Sequence, residues 1–146
     1  MLALMLLLAA DAEPTAPDGF TSLFNGKDFS GWKAHGGKID KWSVDTEAKT
    51  IHTGKGGGGW LMTEKEYGDF ELRLEFKVPK GGNSGVALRS PMKGDPAYTG
   101  MEIQILDDKG HGKLEKWQHT GSIYGVVAAS SVPTKPLGEW NKYKIT

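Results

Sequence analysis

The chain has 146 residues, enough for one domain with a hydrophobic core and too few for two. Hydrophobic residues make up 38% and charged residues 25%, a composition that excludes disordered and fibrous proteins. The 18 Lys and Arg residues balance the 18 Asp and Glu residues, and no basic run is interleaved with aromatic residues, so we expect no nucleic-acid partner.

The N-terminal segment has the features of a signal peptide. Residues 1–10 read MLALMLLLAA, an apolar stretch shorter than the roughly 20 residues that span a bilayer. Ala10-Asp11-Ala12 resembles a cleavage site, and residues 13–18 follow as a polar linker. The usual positive charge at the start is missing, and the alternative is an N-terminal strand of the domain. We predict a signal peptide over residues 1–12, a secreted or periplasmic location, and no stable membrane anchor after cleavage.

Short strands and turns are predicted for the rest of the chain, residues 19–146. Glycine is frequent, at 21 residues, and cysteine is absent, so turns rather than disulfides define the fold. The predicted strands, in chain order, are residues 19–24, 42–44, 50–52, 60–63, 70–78, 84–89, 101–106, 122–127 and 140–146. This number of short strands without a convincing helix indicates an all-β sandwich or jelly roll.

Two of these strands alternate clearly between apolar and polar residues. In residues 70–78 every second residue is apolar, which is typical of a half-buried strand. Residues 84–89 are predicted to be its antiparallel partner across the turn at 79–83. In residues 101–106 the apolar residues Met101, Ile103 and Ile105 are expected to face inward, which leaves Glu102 and Gln104 on the other face.

The polar faces of these strands suggest a carbohydrate site. Carboxylates and amides hydrogen-bond to sugar hydroxyls, and the apolar face of a sugar ring stacks on an aromatic side chain. Glu71 and Arg73 are candidate substrate-binding residues, with cross-strand ion pairs as the alternative. Trp60, next to the glycine-rich loop at 54–59, is the candidate stacking residue, with a place in the core as the alternative.

Six stretches of the sequence, in order, resemble the 3-keto-disaccharide hydrolase domain family. They are residues 19–27 (GFTSLFNGK), 67–72 (YGDFEL), 82–86 (GNSGV), 100–107 (GMEIQILD), 120–125 (TGSIYG) and 138–141 (GEWN). The resemblance implies a concanavalin A-like jelly-roll β-sandwich over residues 19–146. It also implies cleavage of glycosides oxidised at carbon 3, by hydrolysis or by elimination. Family members continue past the point where this chain ends, so we expect the C-terminal strands to be missing.

The same resemblance extends to laminarinase-type hydrolases, which carry two glutamates on one strand. Here the second position is Leu106, so the usual carboxylate pair is absent from the strand that carries Glu102. A ketone at carbon 3 acidifies the hydrogen on carbon 2, so that elimination needs a base and a group that stabilises the enolate.

We therefore assign candidate roles within this interpretation. Glu102 is the general base or a metal-facing carboxylate, and Arg89 stabilises the enolate oxygen. Asn83 and Gln104 bind hydroxyl groups, and Asp107 orients the site. His119 or Tyr124 donates a proton to the leaving oxygen. The expected partner is a 3-keto-glycoside; the cofactor is unassigned, with a divalent metal ion as one candidate.

Two other functions fit the same fold. A non-catalytic carbohydrate-binding module is the main alternative, because jelly rolls also serve as lectins. The alignment of Glu102, Gln104 and Arg89 favours an enzyme over that alternative. A surface domain that binds a partner protein fits less well, because no long apolar run is predicted to be exposed.

Overall fold

A computed structural model describes residues 3–5, 16–54 and 59–146 of the chain. Most of the predicted signal peptide and linker, and residues 55–58 of the glycine-rich loop, lie outside the described residues. The described chain forms two compact units. The first comprises Ala3–Phe76 with Lys142–Thr146, and the second comprises Lys77–Asn141.

The described residues form nine strands and very little helix. The strands are β1 Ala3–Met5, β2 Trp32–His35, β3 Trp42–Asp45, β4 Thr50–Thr53, β5 Trp60–Thr63, β6 Leu72–Lys77, β7 Asn83–Leu88, β8 Met101–Leu106 and β9 Trp140–Ile145. A four-residue α-helix, α1, spans Pro96–Thr99, and 3₁₀ turns lie at Ile39–Lys41 and Lys116–Gln118. In the part of the chain that is described, no helix is long and apolar enough to cross a membrane.

The first unit contains a five-stranded sheet in the order β3-β4-β1-β6-β9 and a separate antiparallel pair, β2 and β5. The β3–β4 hairpin forms because Asp45 closes its turn. The Asp45 carboxylate accepts hydrogen bonds from the backbone N–H groups of Glu47 and Ala48, and Lys49 adopts a φ of 51°. The strands predicted at residues 42–44 and 50–52 are therefore confirmed.

Strand β6 follows the predicted alternation. Leu74 and Phe76 are buried, and the Phe76 ring packs against Tyr143 of β9 with 4.6 Å between ring centroids. Polar residues occupy the alternate positions: Glu75 pairs with Lys142 of β9 at 2.6 Å. The period of two thus places an apolar face toward the core and an ion-paired face away from it.

The second unit is built around β8. Strand β7 pairs with β8 in antiparallel register, with Gly85 opposite Gln104 and Ala87 opposite Glu102. On the other edge of β8, the segment 121–127 attaches through a bridge between Ile103 and Ile123. Helix α1 packs against β7 and β8, and its first residue, Pro96, is fully buried. Strand β8 is therefore bordered by chain on both edges.

The predicted fold class, an all-β sandwich, is confirmed, but three details of the prediction were wrong. Residues 19–24 form no strand. Instead, the indole N–H of Trp32 donates to the Leu23 carbonyl oxygen at 2.6 Å. Residues 122–127 form isolated bridges around a turn rather than a regular strand.

The third wrong detail is the partner of β7, which pairs with β8 and not with β6. The reason lies in the turn at 79–83. The Gly82 carbonyl accepts a hydrogen bond from the N–H of Asp107, and the Asp107 carboxylate accepts one from the N–H of Gly81. These two bonds hold the start of β7 against the end of β8.

The N-terminal residues Ala3–Met5 form β1, which pairs antiparallel with β4. This is the arrangement that the alternative interpretation of the N-terminus describes, a strand of the domain. Cleavage of residues 1–12 stays a prediction, because the described residues do not test it.

Candidate functional site

Glu102 is a buried carboxyl in the middle of the second unit. It lies on β8 and is 7% exposed, whereas the neighbouring Met101 is 38% exposed. Gln104 is 3% exposed and Ile105 is 1% exposed. Met101 was expected to face inward together with Ile103 and Ile105, and for Met101 this expectation was wrong. Both faces of β8 are covered, and two polar side chains are held inside.

Gly85 makes room for the Glu102 side chain. A Cβ atom added at Gly85 would lie 2.5 Å from the Glu102 Cγ and 2.6 Å from its Cδ. The Glu102 side chain thus lies diagonally across β7, in the space that a side chain at residue 85 would occupy. Any residue other than glycine at this position requires the carboxyl to move.

Tyr124 lies opposite Glu102 on the other edge of β8. The antiparallel bridge between Ile103 and Ile123 puts residues 102 and 124 in register. The Tyr124 N–H also donates to the Glu102 carbonyl oxygen at 2.9 Å. The Tyr124 ring makes an edge-on contact with Tyr98 of α1, with 6.4 Å between centroids and 76° between ring planes. Two aromatic rings thus belong to the elements that flank Glu102.

The environment of Glu102 favours its protonated form. Burial raises its pKa to about 7, and the negative charge of Asp95 adds to the shift. Asp95 caps the N-terminus of α1, where its carboxylate accepts a hydrogen bond from the N–H of Ala97 at 3.1 Å. A carboxyl that titrates near neutral pH can take up or release a proton under ordinary conditions.

The two candidate amides, Gln104 and Asn83, are close together. The Gln104 Nε2 atom is 3.5 Å from the Asn83 Oδ1 atom, the outer limit of a hydrogen bond. Gln104 is on the same strand face as Glu102, two residues along β8. The structure thus brings Asn83 and Gln104 close together, and their role in binding hydroxyl groups stays a prediction.

Asp107 ties two turns to the end of β8. Its Oδ2 atom accepts from the Gly81 N–H at 2.8 Å, and its Oδ1 atom accepts from the Gly110 N–H at 3.0 Å. The hydrogen bond from Gly81 is the main cause that lowers the Asp107 pKa, with further contributions from Gly110, Lys109 and the nearby His111. Both carboxylate oxygens are thus used for structure, so Asp107 can orient the site only indirectly.

His119 forms a pair with Asp108, a residue that sequence reasoning did not single out. The His119 Nδ1 atom is 3.1 Å from the Asp108 Oδ1 atom, which also accepts from the N–H of Thr120 at 2.9 Å. The Asp108 Oδ2 atom is buried and has no hydrogen-bond partner. A carboxylate bound to one ring nitrogen fixes the orientation of a histidine. The sequence signal for this pair was only the acidic dipeptide at 107–108.

Arg89 follows directly after β7 and leaves the strand geometry. Its φ is 51°, in the left-handed region that non-glycine residues rarely adopt, and its side chain is exposed. Strand alternation therefore does not determine the direction of this side chain. A shared face for Arg89 and Glu102 stays a prediction.

The remaining candidates, Glu71, Arg73 and Trp60, belong to the first unit. Glu71 accepts from Arg73 Nε at 2.6 Å and pairs with Lys144 at 2.9 Å. The Arg73 guanidinium also lies over the Phe20 ring, 4.3 Å from its centroid. This is the ion-pair arrangement considered as the alternative for Glu71 and Arg73.

Trp60 opens β5 opposite His35 and is half-buried. Substrate binding by Trp60, Glu71 and Arg73 stays a prediction. Within residues 16–54 and 59–146, no three His, Asp or Glu side chains are grouped as ligands of a metal ion.

Comparison with known proteins relates the chain to one family. Residues 19–146 match the family described as the 3-keto-alpha-glucoside-1,2-lyase-like domain. A 3-keto-disaccharide hydrolase from Bacteroides thetaiotaomicron is 34% identical over 90% of this chain and 53% of its own length.

Two crystal structures of candidate glycosyl hydrolases from Parabacteroides distasonis are also similar. The first has 33% identity and a TM-score of 0.69, and covers 85% of this chain and 61% of the other. The second has 30% identity and a TM-score of 0.50, and covers 77% and 61% respectively. The chain thus spans about half the length of the curated relative that it matches.

Proposed function

The chain belongs to the family of 3-keto-alpha-glucoside-1,2-lyase-like domains, and from this premise we propose that it cleaves 3-keto-glycosides with Glu102 as general base. The observation that carries the proposal is the buried carboxyl of Glu102, whose pKa is raised to about 7 by burial. A base of this pKa is half ionised at neutral pH and still strong enough to accept a proton from carbon.

The reaction follows from the acidity next to a ketone. The ionised carboxylate of Glu102 takes the proton from carbon 2, and the electron pair of that bond forms the enolate of the carbon 3 ketone. The enolate then collapses, a double bond forms between carbons 1 and 2, and the bond from carbon 1 to the leaving oxygen breaks. The leaving oxygen takes up a proton, and addition of water across the new double bond completes a net hydrolysis.

Burial suits Glu102 to this step. A carboxylate removed from water is a stronger base than an exposed one, because its charge is poorly solvated. The diagonal placement over Gly85 also limits the positions that the carboxyl can adopt. A base with a fixed position reacts faster than a mobile one, since less order must be created in the transition state.

Other side chains supply the remaining roles in this proposal. Arg89 stabilises the enolate oxygen, and the adjacent amides of Gln104 and Asn83 bind substrate hydroxyl groups. The proton for the leaving oxygen comes from Tyr124 or His119. Tyr124 is supported by its place opposite Glu102, and His119 by its contact with Asp108.

A non-catalytic carbohydrate-binding module remains the second candidate. The observation that favours it is the exposed ring of Tyr98, which contacts the half-buried Tyr124, because binding modules use such rings for stacking. The two candidates differ in one respect: a module binds the sugar and releases it unchanged.

The test is incubation of the full chain with 3-keto-trehalose and 3-keto-lactose, with the unoxidised sugars as matched controls, in D₂O. We expect release of glucose only from the keto-sugars, and deuterium at carbon 2 of the recovered keto-product by NMR. Parallel samples with a chelator test whether a divalent ion takes part. Binding of the keto-sugars without product would support the binding module instead of the enzyme. A protein that neither binds nor cleaves them would refute both candidates.

Export of the protein is a separate part of the proposal. The apolar residues 1–10 and the Ala-Asp-Ala sequence at 10–12 support a signal peptide. N-terminal sequencing of the protein from the periplasm or medium of an expressing bacterium tests it. A mature start at Glu13 is expected, and a folded protein that retains Met1 would instead support the N-terminal strand.

A further inference from the structure

Tyr98 is the most exposed large apolar side chain described, at 77%, and it is held in a hydrogen-bonded turn. Helix α1 has only four residues, but Asp95 fixes its start. The Asp95 carbonyl accepts hydrogen bonds from the N–H groups of Tyr98 and Thr99, and the Pro96 carbonyl accepts one from Gly100. Because Pro96 is buried and the N–H groups of residues 97–100 are hydrogen-bonded, Tyr98 projects outward from a fixed base.

Exposed apolar side chains are concentrated in the same part of the second unit. Met92 and Met101 precede and follow α1 and are 54% and 38% exposed. Val126 and Val127, in the turn after Tyr124, are also exposed. Single exposed apolar residues are common on proteins, but a group of them in the elements around a buried carboxyl is typical of a binding surface.

The geometry of the two tyrosines suits a sugar ring. Tyr98 and Tyr124 meet nearly at right angles, so the ring whose edge makes the contact keeps a flat face for another partner. A pyranose has apolar C–H faces and polar edges. A ligand of this kind needs an aromatic face next to hydrogen-bonding groups. Glu102 and Gln104 provide such groups on the strand next to Tyr124.

We propose that the Tyr98 ring is a stacking platform for a pyranose ring of the substrate and so determines affinity and specificity. This inference rests on the proposed function, whose site it extends. Tyr98 acts by binding and takes no part in proton transfer, because its contact to the site is made through Tyr124. Its loss therefore affects KM much more than kcat.

The test compares Tyr98→Ala and Tyr98→Phe in steady-state kinetics on a 3-keto-disaccharide. The control is Tyr67→Ala, which removes another exposed tyrosine, 41% exposed, from outside the elements that carry Tyr98, Tyr124 and Glu102. We expect KM to rise about tenfold in Tyr98→Ala, which is the upper range for loss of an aromatic contact. The kcat of this variant should stay within about twofold of the wild type. Tyr98→Phe and the control should behave like the wild type.

An unchanged KM in Tyr98→Ala, when the wild type is active, would overturn the platform and leave the proposed function intact. A wild type without turnover would instead refute the enzyme. In that case calorimetry of the same 3-keto-disaccharide with wild type and Tyr98→Ala decides whether Tyr98 is a stacking platform. Weaker binding by the variant supports it, and equal or absent binding overturns it.

Discussion

The Glu102 side chain lies over the backbone of Gly85, so close that a Cβ atom at residue 85 would be 2.5 Å from the Glu102 Cγ. The two residues are diagonal neighbours on β7 and β8, and residue 85 faces Gln104 directly. Glycine at 85 is thus a condition for the present position of the Glu102 carboxyl. The position, burial and raised pKa of the Glu102 carboxyl therefore depend on the glycine at residue 85.

Gly85→Ala is expected to displace the Glu102 carboxyl. The added methyl group cannot fit beside the Cγ of Glu102, so the side chain must rotate or the strands must separate. We predict a loss of turnover of at least about tenfold, since small displacements of a reacting group are costly. Kinetics on a 3-keto-disaccharide measure it. Gly112→Ala, where an added Cβ meets nothing within 4 Å, is the matched control and should be active.

Stability is expected to fall as the pH rises from about 4.5 to about 7 because of Glu102. Its folded-state pKa of about 7 lies above the ordinary 4.5, so the folded protein holds the proton more tightly than the unfolded chain. The resulting stabilisation is complete below about pH 4.5 and lost above about pH 7, and amounts to at most about 3 kcal/mol.

Glu102→Gln should remove this pH dependence. Urea unfolding at pH 5 and pH 8 should show a smaller difference in unfolding free energy for the variant than for the wild type. Glu139→Gln, at an exposed glutamate, is the control and should keep the wild-type difference. Equal differences in unfolding free energy between pH 5 and pH 8 in all three proteins would show that Glu102 is not the group responsible.

Asp95→Asn is expected to make Glu102 more acidic. The charge of Asp95 is the second cause of the raised pKa, after burial, so its removal should lower the pKa only in part. The acid limb of the pH profile of kcat/KM should move to lower pH. Asparagine still caps α1 through its side-chain oxygen, so the melting temperature should change little. An acid limb that does not move would contradict electrostatic coupling between Asp95 and Glu102.

Asp107→Asn is expected to weaken the fold at neutral pH. The ionised carboxylate accepts from both Gly81 and Gly110, and an amide has only one oxygen with which to do so. Because the Asp107 pKa is lowered, its contribution is present at neutral pH and lost as the pH falls through that pKa. The melting temperature of the variant should be lower at pH 7 and approach the wild type in acid. The control is the exposed Asp40→Asn, and equal melting temperatures at pH 7 would contradict this role.

The sequence predicted those parts of the fold that depend on local patterns. The alternation in β6 and the short strands β3 and β4 follow from patterns of neighbouring residues, and these were predicted. The partner of β7 was not predictable, because it depends on bonds of Asp107 to a turn 26 residues earlier in the chain.

The candidate site was predictable only in part. Glu102 and Gln104 were identified as polar residues of one strand face, but alternation alone suggested an outer face, and their burial depends on what covers β8. Asp108 and Tyr98 were missed because each is linked to the site only by a contact with a residue far away in the sequence. These residues are His119 for Asp108 and Tyr124 for Tyr98. For Arg89, the positive φ removed the regular geometry on which the prediction relied.

The most direct test of the account is the turnover of a 3-keto-disaccharide by Glu102→Gln, which keeps the shape of the side chain and removes the base. We predict that kcat falls by about a hundredfold or more, the usual range for loss of a general base, while circular dichroism and the melting temperature at pH 7 show an intact fold. Turnover within about twofold of the wild type would contradict the assignment of Glu102 as the base.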